Sequence, residues 1–158
     1  MPLALPLHGT LIQYQGLGIY ITGPNGSGKS ETALQLIRDG AQLVCDDAPL
    51  FQTDNAGNVL GLCPENFEGL IHIRDLGIIN IAELFGQQQI KNQQQIDFII
   101  EIDLTADYDS ASTEIQYRHW QFQSCLIPGQ TIKRSAGRNM ALLIHIAVLM
   151  FQNSLKQQ

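Results

Sequence analysis

The alternation of apolar and polar positions predicts short strands and helices along this chain. Thr10–Tyr14 and Gly18–Thr22 are apolar stretches separated by glycine, so we expect them to form a tight hairpin. Apolar residues then recur at helical spacing over Lys29–Asp39, and Gly40 follows as a helix stop. Leu43–Cys45 is short and apolar, which predicts another strand. This strand, helix, strand order is typical of an α/β fold.

The rest of the chain continues the same alternation of elements. We expect a hairpin of Leu50–Thr53 and Asn58–Leu62, a strand at Gly69–Arg74, a short helix or turn at Asn80–Phe85, an exposed loop or edge at Gln87–Gln95, a buried strand at Ile96–Leu104, a loop at Thr105–Thr113, a half-exposed strand at Glu114–Gln123, and a turn and strand at Ser124–Arg134. Gly137–Asn153 predicts a helix that is apolar nearly all round, and such a helix is either central or covered by a partner. With no repeat or linker, residues 1–158 are expected to form a single α/β domain.

Composition and charge exclude several classes of protein to which this chain could belong. Fifteen acidic residues against nine basic ones give a net charge of −6, and no basic run is present, so we expect no nucleic-acid partner. Three scattered cysteines favour neither a disulfide framework nor a zinc site. The apolar start lacks a basic region and is broken by Pro2 and Pro6, and the longest apolar run, Met140–Phe151, is too short to cross a bilayer. We therefore expect a cytoplasmic protein with no membrane partner.

A glycine-rich loop between the second strand and the first helix has the spacing Gly-x-x-x-x-Gly-Lys-(Ser/Thr). Its glycines let backbone N–H groups turn toward an anion, and the helix N-terminus adds partial positive charge. The lysine reaches the outer phosphates, and the serine hydroxyl is a ligand for Mg²⁺. The residues expected to bind nucleotide phosphates are Gly23, Pro24, Asn25, Gly26, Ser27, Gly28, Lys29 and Ser30. The motif alone does not define the reaction.

Two adjacent carboxylates, Asp46 and Asp47, follow the strand after the loop helix. Ligands of open α/β sheets bind at the carboxyl ends of strands, so one of these groups can face the outer phosphate. Successive side chains of a strand point to opposite faces, which predicts different roles: one carboxylate accepts the proton of an attacking hydroxyl, and the other positions a metal or a neighbour. From the residues alone, it is equally consistent that the pair begins a turn before Pro49 and has no chemical role.

Together with the loop, several blocks resemble HPr kinase/phosphorylase. In chain order these blocks are His8-Gly9, Gly16-Leu17-Gly18, Gly28-Lys29-Ser30-Glu31, Leu43-Val44-Cys45-Asp46-Asp47, the segment Leu70–Asn80, Leu84-Phe85-Gly86 and Gly137-Arg138-Asn139. The resemblance covers residues 7–152. It implies a P-loop kinase domain related in fold to phosphoenolpyruvate carboxykinase, with a mixed sheet and flanking helices.

The activity implied by the resemblance is ATP-dependent phosphorylation of a serine in the phosphocarrier HPr, which regulates carbohydrate metabolism. The reverse step would use inorganic phosphate and give pyrophosphate. The implied cofactors are ATP and Mg²⁺, the implied partner is HPr or an HPr-like protein, and the apolar last helix favours a homo-oligomer.

The resemblance also assigns roles to residues. Asp46 would be the base toward the seryl hydroxyl, and the acid in reverse. His8 would lie beside it and tune its charge, while Asp47 would support the metal or the loop. Arg74 and Arg138 would meet phosphate or transition-state charge, which suits the planar, permanently charged guanidinium.

The sequence departs from the family at several positions. His72 stands where the family has a glutamate that helps to hold magnesium, and Asp75 replaces a neighbouring glycine. Ser135-Ala136 occupies a place where a basic residue is usual, with Lys133 and Arg134 shifted upstream. The resemblance also implies a compact form without the N-terminal regulatory domain. The first departure concerns the expected magnesium ligands, and the second concerns the expected reverse reaction. The compact form concerns the expected assembly and the docking of HPr.

Two other functions remain open from the sequence. One is a kinase of a small hydroxylated metabolite, since the segments that would dock a protein are not recognised here. The other is a nucleotide-sensing module without catalysis, which His72 favours because an imidazole is a poor magnesium ligand. His145, within the apolar helix, is expected to be a buried, hydrogen-bonded histidine without a chemical role.

Overall fold

A computed structural model describes residues 1–105 and 113–158. The helices are α1 (Lys29–Arg38), α2 (Ile81–Phe85) and α3 (Met140–Lys156). The strands are β1 (Leu3–Ala4), β2 (Gly9–Tyr14), β3 (Leu17–Thr22), β4 (Gln42–Cys45), β5 (Leu50–Thr53), β6 (Val59–Leu62), β7 (Leu70–Ile73), β8 (Gly77–Asn80), β9 (Gln93–Gln95), β10 (Phe98–Asp103), β11 (Arg118–Phe122) and β12 (Cys125–Lys133). The loop predicted at Thr105–Thr113 lies mostly outside the described residues.

The central sheet is mixed, as expected, with the order β1-β11-β12-β10-β3-β2-β4. Strands β3, β10 and β12 run parallel at its centre, whereas β2 pairs antiparallel with both β3 and β4. Two small sheets, β5-β6-β9 and β7-β8, complete the structure. The parallel centre brings the carboxyl ends of β3 and β10 to the same edge, where ligands of α/β sheets bind.

Alternating side chains of the central strands fill two cores. On one face, Ile19 and Phe98 pack with helix residues such as Leu36 and Ile144, all of them fully buried. On the other face, Tyr20 packs in a core with Trp120 of β11. Val59, which belongs to the small β5-β6-β9 sheet, is part of the same core. Since both faces of β3 are covered, this strand is buried along almost its whole length, whereas β12 alternates between buried and more exposed positions.

The hairpin of β2 and β3 confirms the first predicted turn. Gln15 and Gly16 form it with φ values of 53° and 80°, and two consecutive positive φ values are what a type I′ hairpin turn requires. Gly18 needs to be glycine for a different reason, because a Cβ there would collide with the carbonyl oxygen of Gln95. The hairpin thereby sets the direction of β3, which leads into the glycine-rich loop.

Some elements differ from the predicted ones. The strand expected at Gly69–Arg74 is one half of a hairpin, because the chain reverses at Asp75 (φ 73°) and returns as β8. The half-exposed strand expected over Glu114–Gln123 is confined to β11. The glutamine-rich segment is an edge, as one of its two predicted alternatives had it, and its residue Gln89 donates hydrogen bonds to the carbonyls of Ile37 and Ala41 at the end of α1 (2.8 Å each).

Helix α3 begins later than predicted. Gly137 has φ 85° and Asn139 is extended, so the helix starts at Met140 with the Asn139 side chain accepting a hydrogen bond from the N–H of Leu142 (3.1 Å). His145 is half-buried and shares a 2.7 Å hydrogen bond with the hydroxyl of Tyr14, as expected of a structural histidine. One side of the helix enters the core, whereas apolar residues on the other side are exposed: Leu142, Ile146, Leu149 and Met150. None of the described helices is long and apolar enough to span a membrane.

The N-cap of α3 gives a test of this description. Replacing Asn139 with alanine removes the acceptor for the Leu142 N–H and should lower the free energy of unfolding by about 1 kcal/mol. Asn153→Ala, at an exposed position of the same helix, is the matched control and should stay within about 0.5 kcal/mol of the wild type. Urea unfolding followed by circular dichroism measures both, and equal effects would contradict the capping role.

Candidate nucleotide and phosphoryl-transfer site

The glycine-rich loop lies where the sequence predicts it, between β3 and α1. Gly26 and Gly28 have φ values of 80° and 84°, in the left-handed region that glycine adopts without strain. Gly23 is needed for close packing, since a Cβ there would lie 2.8 Å from the carbonyl oxygen of Ile102. Gly28 is also the N-cap of α1, so the positive end of the helix faces the concave side of the loop.

A cavity of about 440 Å³ opens in front of this loop. The loop residues Asn25, Gly26, Gly28, Lys29 and Ser30 form one side of it. The other walls come from separate parts of the chain, namely Thr10, Glu31, Asp46, Asp47, His72, Ile73, Arg74 and Arg134. The cavity therefore brings together most of the predicted site residues, with both cations and carboxylates in its lining.

Lys29 is held by the loop itself. Its ammonium donates hydrogen bonds to the carbonyl oxygens of Gly23 (2.9 Å) and Pro24 (3.2 Å). Both acceptors are neutral, so a phosphate oxygen at the same place would make the stronger, charge-assisted hydrogen bond. The lysine ammonium therefore lies at the opening of the loop, where the predicted contact with the outer phosphates of a nucleotide requires it.

Asp46 is the most firmly positioned side chain of the cavity. One carboxylate oxygen accepts hydrogen bonds from the hydroxyls of Thr10 and Ser30, each at 2.8 Å. The other oxygen accepts from the backbone N–H of His72 at 3.1 Å. The three donors belong to β2, α1 and β7, so the carboxylate is fixed from three directions beside the serine of the phosphate loop.

Asp47 diverges from Asp46, but both residues follow the end of β4 at Cys45, so the alternation of side chains along a strand is not the cause. Asp47 has φ 72° and an exposed side chain, and one of its carboxylate oxygens lies 3.9 Å from Nδ1 of His8. The resemblance led us to expect His8 beside Asp46, but the structure brings its imidazole to Asp47. His8 lines a second cavity of about 440 Å³ that shares Gly23 and Pro24 with the loop and extends to the end of β10.

The two predicted arginines have different surroundings. Arg74 is exposed at the end of β7 and lines the main cavity, as does the neighbouring His72. Arg138 instead lies in a smaller crevice beside Gly28, and its guanidinium donates to the carbonyl of Lys133 (2.8 Å). Arg138 is not among the residues that line the main cavity.

Arg134 is one of the cavity residues that the site prediction missed, together with Thr10, Glu31 and Ile73. Its guanidinium donates a hydrogen bond to the carbonyl of Ser27 in the phosphate loop. The available signal was the position of Arg134 and Lys133 just upstream of the place where the family carries a basic residue. Sequence spacing alone could not show that the side chain reaches back to the loop.

Two groups with raised pKa values, the Cys45 thiol and the Tyr20 hydroxyl, lie near the site. Hydrogen bonding to the Cys63 thiol and burial together raise the pKa of Cys45, directly before Asp46. Burial raises the pKa of Tyr20 in the adjacent core. Cys45, Cys63 and Cys125 are free thiols and all are buried. The raised pKa values keep the Cys45 thiol and the Tyr20 hydroxyl protonated beside the site.

Mg²⁺ prefers hard oxygen ligands in octahedral geometry. Within residues 1–105 and 113–158, no group of three histidine, cysteine or acidic residues is placed to hold a metal ion. Mg²⁺ bound with nucleotides needs less, since one or two protein oxygens, phosphate oxygens and water complete its shell. The Ser30 hydroxyl and the Asp46 carboxylate, 2.8 Å apart, supply such a pair of hard oxygen donors.

The strand, glycine-rich loop and helix, with a carboxylate set against the loop serine, define a P-loop nucleotide-binding domain. Comparison with known families makes the assignment specific. The family model of the HPr serine kinase C-terminal domain matches residues 3–158, and the chain belongs to this family.

Individual relatives agree with this assignment. The chain is 35% identical over 149 residues to HPr kinase/phosphorylase of Bacillus subtilis (strain 168) and 34% identical to that of Geobacillus kaustophilus, covering 92% of this chain and 47% of each relative. It thus spans about half the length of the curated relatives it matches. The solved structure of the Hpr(Ser) kinase/phosphatase from Coxiella burnetii superposes with a TM-score of 0.88 at 30% identity, covering 95% of this chain and 92% of that one. The expected P-loop kinase fold is confirmed.

The position of Lys29 predicts a specific loss on substitution. Lys29→Ala removes a charge-assisted contact to phosphate worth about 1.5–3 kcal/mol, so ATP should bind roughly ten- to hundredfold more weakly. Lys91→Ala, an exposed lysine bonded to Gln94, is the control and should leave ATP affinity unchanged. Isothermal titration calorimetry measures both, and unchanged affinity in Lys29→Ala would contradict the placement of phosphates in this loop.

Proposed function

We propose that the protein is an ATP-dependent serine kinase that acts on HPr or an HPr-like phosphocarrier, and so takes part in regulating carbohydrate metabolism. The observation that carries this proposal is the fixed carboxylate of Asp46 at the wall of the phosphate-loop cavity. The printed names of relatives over this domain, HPr kinase/phosphorylase, support the choice of acceptor.

In the proposed reaction, the phosphate loop and Lys29 hold the β- and γ-phosphates of ATP. The seryl oxygen of the acceptor attacks the γ-phosphorus, the bond to the β-bridging oxygen breaks, and ADP leaves. Asp46 takes the proton of the attacking hydroxyl, and Arg74 lies on the cavity wall to meet the charge of the transferred group. Catalysis is thus mostly positioning and electrostatic stabilisation.

We also propose that ATP enters with Mg²⁺. Ser30 and Asp46 would hold the ion, and its chemistry would be to neutralise charge on the phosphate oxygens. Asp47 would contribute through the loop and its contact with His8, since its carboxylate is turned outward. The backbone N–H of His72 donates a hydrogen bond to Asp46. This bond holds the carboxylate in place independently of the His72 imidazole.

Asp46→Asn tests the kinase and its base together. Transfer of labelled γ-phosphate from ATP with Mg²⁺ to purified HPr-like phosphocarriers should fall about 10²–10⁴-fold, the usual contribution of a general base. ATP affinity measured without Mg²⁺ should change little, because the loop and Lys29 rather than Asp46 contact the phosphates in the proposed reaction. Asp39→Asn, at the exposed end of α1, is the matched control and should retain full transfer.

The same assay separates the alternatives. ATP binding with transfer to small alcohols but not to phosphocarriers would indicate a metabolite kinase. ATP binding without turnover at any Mg²⁺ concentration would indicate a nucleotide sensor. Release of phosphate from the phosphorylated carrier by inorganic phosphate, with formation of pyrophosphate, would show that the reverse reaction also occurs.

We further propose that the protein is a cytoplasmic homo-oligomer in which a second copy covers the exposed apolar side of α3. Ile146 and Met150 are 44% and 45% exposed one turn apart on that side. Light scattering at micromolar concentration should give a mass above the 17.5 kDa of one chain. A monomer under these conditions would contradict the assembly.

A further inference from the structure

Arg134 connects the end of the central sheet to the phosphate loop. It follows β12 directly, and its backbone N–H donates to the carbonyl of Asp103 at the end of β10 (2.8 Å). Its side chain then crosses to the loop, where the guanidinium donates to the Ser27 carbonyl and lies against the Cα of Gly28. A Cβ at Gly28 would collide with this guanidinium, so the glycine leaves room for the arginine as well as for the turn.

Among the described residues, no acid forms an ion pair with Arg134. In the described part of the chain, the ion pairs join His8 to Asp47, Arg38 to Asp39 and Arg118 to Glu101, and Arg134 is in none of them. Its hydrogen-bonded partner is a neutral carbonyl, and the side chain is half-buried on the wall of the main cavity. A guanidinium carries five donors, so this contact leaves most of them available to a ligand in the cavity.

Arg138 has the contrasting position. Its guanidinium donates to the carbonyl of Lys133, and its backbone N–H donates to that of Ser135 (3.2 Å). Both contacts are within the segment that carries Arg134, and Arg138 lines the crevice beside the loop rather than the main cavity. Arg134 therefore lies on the wall of the main cavity, whereas Arg138 lies in the neighbouring crevice.

We propose that Arg134 is a phosphate-binding residue of this site. Its guanidinium donates to the Ser27 carbonyl, and when a polyphosphate binds it exchanges this neutral acceptor for oxygens of the outer phosphates. The exchange is favourable because hydrogen bonds between a guanidinium and a phosphate are charge-assisted and can be bidentate. This inference rests on the proposed function only in requiring that a polyphosphate enters the loop.

The test compares ligands that differ in their outer phosphates. ATP, inorganic pyrophosphate and AMP are titrated by calorimetry into the wild type, Arg134→Gln and Arg134→Lys. We expect Arg134→Gln to lower the affinity for ATP and for pyrophosphate at least about tenfold, and the affinity for AMP less than about twofold. Arg134→Lys should recover part of the loss, since it keeps the charge without the planar fork. Arg38→Gln, an exposed arginine at the end of α1, is the control and should match the wild type.

Two outcomes would overturn the inference: ATP affinity unchanged in Arg134→Gln, or equal losses for AMP and ATP, which would indicate that the arginine only supports the loop. If Arg134→Gln does not fold by circular dichroism, Arg134→Lys decides by the same comparison of AMP with ATP. Because no acceptor is present, failure to phosphorylate HPr-like proteins would count against the proposed function alone. A wild type that binds neither ATP nor pyrophosphate would overturn this inference as well.

Discussion

The carboxylate of Asp46 is the point on which the site depends. Its hydrogen-bond donors come from Thr10, Ser30 and His72, which are 36, 16 and 26 residues away in sequence. Thr10 is fully buried, so its hydroxyl would lose its described partner if the carboxylate moved. The network therefore ties the first hairpin, the loop helix and the β7–β8 hairpin to one another. The same atoms that hold these elements together are the ones that would meet the acceptor hydroxyl, so stability and chemistry are coupled here.

The parts of the site that obey local rules could be predicted from the sequence. The phosphate loop requires glycines at fixed offsets and a lysine and serine at its end, and the motif predicts each of these residues. The family blocks added the position of the carboxylates relative to the loop. What these features share is that each depends on backbone conformation over only a few residues.

Features that depend on distant packing could not be predicted in this way. Helix α3 was expected to open at Gly137, which would have put Arg138 in its first turn. The left-handed Gly137 and the Asn139 cap delay the helix, so Arg138 stays in the preceding segment and Arg134 reaches the loop instead. His8 faces Asp47 rather than Asp46 because Asp47 has a positive φ. No pattern in the sequence predicts this backbone conformation. In both places one left-handed residue redirects a charged side chain.

The strand that carries the phosphate loop has one near and one distant partner. β3 pairs with β2 across a two-residue turn, but its other edge pairs with β10, and Gly18 and Asp97 meet across 79 residues. During synthesis on the ribosome, the first hairpin can form while the second edge of β3 is still open. An unpaired apolar edge is a site for wrong association until its partner strand has emerged. The nucleotide site is therefore completed late, and the nascent chain would need protection along this edge until the second half of the domain has been translated.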